Sequence, residues 1–161
     1  MPSWPGALYP EWVTLIDPVR LQEHVHGHIG WLSAIALTHP AILLRRTTRR
    51  AHLAVGLAVG IVTLAGALGL AIYGDYRERL RQSIFQHARV IGYLFERKEH
   101  LAFGAVVLAY AGAAAYVAAT KLEGERRERL RKAAHWSFVA AAAMAVVTAA
   151  LGTVIAAYKT F

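Results

Sequence analysis

The sequence predicts an all-α integral membrane protein: a four-helix up-down bundle with an amphipathic interfacial helix between spans two and three. Two observations carry this prediction. Hydrophobic residues make up 57% of the 161 residues and charged residues only 17%, against about 25% charged in ordinary soluble domains. The placement of the charges decides the matter, because no Asp, Glu, Lys or Arg occurs in 31–44, 53–73, 101–120 or 136–158. A spanning helix needs about 20 mostly apolar residues at a rise of 1.5 Å each. Three of the stretches meet this directly, and the first does so once extended back through His24.

Residues 1–17 form a Pro-rich arm carrying Trp4, Tyr9 and Trp12, types suited to the membrane interface. The arm lacks the basic start of a signal peptide, so the N-terminus is expected to be retained. The single transmembrane domain then runs over 18–161. Asp17 followed by Pro18 is a helix-start pair, with Asp as the cap and Pro at the first helical position. The first span is expected over about 24–44, ending at Arg45, Arg46, Arg49 and Arg50. The second covers about 51–73 and stops at Gly74 and Asp75. Over 75–98, Leu80, Ile84, His87, Ile91 and Leu94 recur on one face of a 3.6-residue period, predicting the amphipathic helix. The third span covers about 100–120. A charged, helical connector over 121–132 leads into the fourth, about 135–158.

The net charge of +8 raises the possibility of nucleic-acid binding. The basic residues, however, sit in the connections between spans, where membrane proteins carry them to face lipid headgroups, so no nucleic acid is expected. Of the eighteen Lys and Arg residues, four stand in the loop after span one, six in the loop after span three and eight elsewhere, a weak overall bias; the first hairpin is clearer, with four arginines at one end against only Arg20 at the other. The positive-inside rule then places these loops in the cytoplasm, with the N-terminus, the 75–98 segment and the C-terminus outside. Abundant Ala, Gly and Arg are compatible with the inner membrane of a GC-rich bacterium. The absence of cysteine excludes disulfides, iron–sulfur clusters, thiolate zinc sites and covalent haem attachment.

Histidine is the ionisable type that the spans offer beside tyrosine, in a setting where ionisable groups are costly and usually functional. A proton or ion transporter would be expected to carry Asp, Glu, Lys or Arg there. Imidazole without carboxylates points instead to metal ligation. There are eight histidines. Threading the spans places His24, His26, His28, His87 and His100 near one membrane face, and His39, His52 and His135 near the other. His28 and His39 are eleven residues apart, hence within about 20° of one helical face and roughly 16 Å apart along the axis. One histidine per leaflet on a common face is what two stacked haems require. The run His24-Val25-His26-Gly27-His28 does not make a three-ligand zinc site, because His26 points away from the other two.

With histidines in two layers on four spans, the chain resembles the small di-haem b-type membrane cytochromes, in which a four-helix bundle holds haem between paired histidines. The resemblance covers the four spans and rests on histidine placement. It implies one or two b haems, two being favoured, and a membrane electron-transfer protein serving as a subunit of a larger redox complex rather than as a stand-alone enzyme. It implies an outer haem between His28 and His100, with His87 able to replace either, and an inner haem between two of His39, His52 and His135. Arg46 with its neighbours Arg45, Arg49 and Arg50, and Arg89 or Arg97 at the other face, would meet haem propionates. Lipids, other redox subunits and a quinone are the expected partners. His52, His100 and His135 stand at the very starts of their spans, which leaves the pairing open. For each histidine the competing role is a hydrogen bond to a main-chain carbonyl or a headgroup. The competing function is a cofactor-free structural subunit of a respiratory or photosynthetic complex.

Overall fold

The computed structural model describes residues 18–46, 51–79 and 81–157; the arm, Arg49, Arg50 and the Asp17 cap lie outside them. Five helices follow in order: α1 Pro18–Leu44, α2 His52–Arg79, α3 Arg81–His87, α4 Arg89–Thr120 and α5 Gly124–Ala157. α1, α2, α4 and α5 are each long and apolar enough to cross a membrane, so the protein is an all-α membrane bundle. α1 packs on α2 and α5, and α4 packs on α5 and, more loosely, on α2. The four long helices therefore close a ring in which α1 and α4 stand diagonally.

The interior is built for close approach. Its buried residues include Ala34, Ala41, Ala51, Ala58, Ala105, Ala109, Ala134, Ala141 and Ala145, with Leu37, Leu44 and Phe138 filling the space between them. Lipid solvates apolar side chains as well as the interior does, so van der Waals fit, rather than hydrophobic drive, holds such helices together. Phe138 packs on Gly112, where a Cβ would stand 3.0 Å from its ring, and Met144 Sδ lies where a Cβ on Gly104 would be 2.9 Å away. These glycines accommodate neighbouring side chains. Large apolar residues such as Ile35, Ile42, Leu53, Leu57 and Phe103 face outward, as a lipid-facing surface requires.

Polar ties add specificity between helices. Trp31 Nε1 of α1 donates to Thr153 Oγ1 of α5 at 3.3 Å. Thr63 Oγ1 of α2 donates to its own helix at Val59 O and meets the Tyr110 hydroxyl of α4 at 2.9 Å. Pro40, wholly buried inside α1, removes one backbone donor without ending the helix.

The 75–98 segment is helical among the described residues, but with a break before α4 rather than as one run. α2 reaches Arg79, α3 covers Arg81–His87 and α4 begins at Arg89, while Leu80 lies outside the described residues. The break before α4 falls at Ala88, whose φ of −147° and ψ of 67° are not helical. It lets α3 fold back so that Phe85 packs on Gly92, where a Cβ would stand 2.9 Å from the ring. Only a residue without a side chain permits that approach. The connector over 121–132 is mostly the beginning of α5. Gly124, at φ +61°, makes the turn that separates it from α4.

Candidate histidine sites and the closed end of the bundle

α1 turns Ser33, Ala34, Leu37, Pro40, Ala41 and Leu44 inward. His28 lies nine residues before Leu37, about 180° around the helix, and His39 lies about 200° from it. Both are exposed, so the face they share is the outer one. His28 Nδ1 donates to His24 O at 2.7 Å, one turn back. His100 of α4 is likewise exposed and donates from Nδ1 to Glu96 O at 2.7 Å. His52 is exposed at the start of α2, and His87 is exposed at the end of α3.

His135 is the exception among the expected ligands. It is half-buried on α5, and its Nδ1 donates across the bundle to Ala41 O of α1 at 2.8 Å. Trp136 lies beside it, with ring centroids 5.0 Å apart. One turn earlier on the same face, Arg131 donates to Leu44 O. The last four carbonyls of a helix have no partner within it, and here α5 supplies donors to two of them. Glu128 holds Arg131 in a two-pronged ion pair at 2.6 and 2.8 Å, which keeps its own carboxyl below the usual carboxylate range. The guanidinium at the C-terminus of α1 also meets the negative end of that helix dipole.

The remaining expected groups do not gather around one histidine. Arg46 and Arg89 are exposed at the ends of α1 and α4. Arg45 and His135 border one shallow groove between α1 and α5, about 290 Å³, lined also by Thr38, Ile42 and Val139. His28 and His100 stand on diagonal helices, as do His52 and His135. Among the described residues, no three His, Asp or Glu side chains converge as a metal site.

A haem set between two histidines of this one bundle does not fit. The centre is occupied by Leu37, Phe138 and Leu44, and the histidines on its diagonals either face outward or cap a helix. The donor chemistry at the surface is a different matter. A carbonyl can only accept, so each Nδ1 bond of His28, His100 and His135 places the proton on Nδ1 and the lone pair on Nε2. That tautomer, held by a main-chain carbonyl, is the one histidine uses when Nε2 ligates a metal.

His26 plays a part that the sequence left unassigned. It turns inward against α2, its Cε1 standing 3.0 Å from where a Cβ on Gly69 would be. The signal was available, because His26, Gly30, Ser33, Leu37, Pro40 and Leu44 follow alternating steps of four and three residues.

No protein family, curated protein or solved structure was found to match this chain.

Proposed function

We propose that this chain is an electron-transfer subunit of a larger membrane redox complex, contributing b-type haem ligands from its outer surface. The observation that supports the reading most is His28: an outward imidazole, fixed by its own helix in the Nε2-ligating tautomer, on the same face as His39 in the opposite leaflet. With the bundle centre closed, each such histidine would supply one axial ligand, and a neighbouring chain the other. The haem would supply the one-electron chemistry. This chain's residues would orient the imidazoles, exclude water and offer Arg46 or Arg89 to a propionate. The positive-inside assignment belongs to the same proposal, with the Arg-rich loops in the cytoplasm of a bacterial inner membrane.

The test is a dithionite-reduced difference spectrum of the solubilised complex, captured by a tag on this chain from haem-replete membranes. A sharp b-type α band is expected. His28→Ala and His39→Ala should each remove one haem equivalent while the complex still assembles. A flat visible spectrum from an intact complex overturns the reading. It would leave a cofactor-free scaffold subunit, which the side-chain filling of the interior at Gly104 and Gly112 favours.

A further inference from the structure

Where α2, α3 and α4 meet, Tyr73, Arg77, Arg81, Phe95, Glu96 and Glu99 line a cavity of about 110 Å³, open on one side. Its depth in the membrane follows from the sequence. Tyr73 ends the second uncharged stretch, and Glu99 stands two residues before the third begins. The cavity therefore opens at headgroup level.

Its charges are not equivalent. Arg81 and Glu96 form an ion pair at 2.8 Å and make one wall. Arg77 and Glu99 line the same space with no ion pair between them among the described residues. A cation and an anion that line one cavity without pairing, with Tyr73 on the same lining, complement a ligand that carries both charges.

The seam below the cavity supplies the rest. α2 and α4 touch at Gly66 and Val106. Yet Leu70, one turn from Gly66 toward the cavity, is 77% exposed, and Phe103, one turn from Val106 in the same direction, is 73% exposed. Both therefore present apolar side chains to lipid on the hydrocarbon side of the charged cavity, where an acyl chain can lie. We propose that this is a phospholipid site for a phosphoethanolamine headgroup: phosphate at Arg77, primary ammonium at Glu99, acyl chain along Leu70 and Phe103. A choline headgroup lacks the N–H donors Glu99 would accept, and a glycerol headgroup lacks the positive charge. The proposal stands independently of any haem.

The test measures lipids retained by the purified full-length chain after extraction from membranes containing phosphatidylethanolamine, phosphatidylglycerol and phosphatidylcholine. Phosphatidylethanolamine should be enriched about tenfold over either competitor, the effect of one charge-assisted hydrogen bond. Arg77→Gln and Glu99→Gln should each return its ratio to that of the bulk membrane, whereas Arg77→Lys should preserve the enrichment. Soluble phosphoethanolamine, lacking the chains, should not displace the lipid at equal concentration. Equal retention of phosphatidylglycerol would show an anion site at Arg77 alone and overturn the proposal. Unchanged enrichment in Glu99→Gln would overturn it equally. Elution of each variant as a single species establishes folding, and should Arg77→Gln aggregate, Arg77→Lys and Glu99→Gln still decide between the outcomes.

Discussion

At the scale of single residues, this bundle is governed by where a side chain can be absent. Gly112 and Gly104 both receive a neighbour within about 3 Å of a would-be Cβ, but the neighbours differ in what they can yield. Phe138 is wholly buried with its ring on Gly112, and a rigid ring in a filled centre has nowhere to go. Gly112→Ala is therefore expected to cost about 1–3 kcal/mol. Met144 reaches Gly104 with a flexible thioether, so Gly104→Ala should cost less than about 1 kcal/mol. Reversible unfolding of the two variants in mixed micelles distinguishes them, and equal losses would contradict this account. The histidines obey a related distinction. Their count and layering were plain in the sequence, whereas their direction was not: His28 and His39 share a face as the spacing required, but the spacing could not say that the face is the outer one.

At the scale of elements, the end of α1 is closed by another helix rather than by its own sequence. Arg131 and His135, four residues apart on α5, reach the carbonyls of Leu44 and Ala41. Arg131→Met keeps the stem and removes the donors, leaving a partly buried carbonyl without this donor. It should destabilise the α1 C-terminus by about 1–3 kcal/mol. Faster amide exchange over 41–46 would register the change, and unaltered exchange would assign the cap to solvent. The brace has a pH dependence of known sign. Arg131 lowers the Glu128 carboxyl from its ordinary 4.5, so the stabilisation is full above that value. It is lost as pH falls through the lower folded-state value and the carboxylate becomes protonated. Protection factors over 41–46, corrected for the intrinsic pH dependence of exchange, should fall on acidification in the natural chain and show no such added dependence in Glu128→Gln. The amphipathic segment shows the same principle. Its periodicity called for one helix over 75–98, but the chain leaves the helical conformation at Ala88, beside the close contact of Phe85 with Gly92.

At the scale of the whole molecule, the exterior is apolar and the interior small, the inverse of the large-residue core of a water-soluble bundle. The chain has no cysteine, which makes its orientation directly measurable. Gln82→Cys and Glu125→Cys are both exposed positions on opposite ends of the bundle. In intact cells, an impermeant maleimide should label position 82, with position 125 reacting only after permeabilisation. The reverse pattern would invert the proposed topology. Four spans and their antiparallel order were legible in the sequence, because hydrocarbon thickness and the cost of burying charge act on composition and length alone. The ring order, the closed centre, the inward turn of His26 and the capping role of His135 were decided only by tertiary structure. Each depends on which helices touch and how closely, and a one-dimensional pattern of apolar residues is nearly the same on every face of a helix that lipid surrounds.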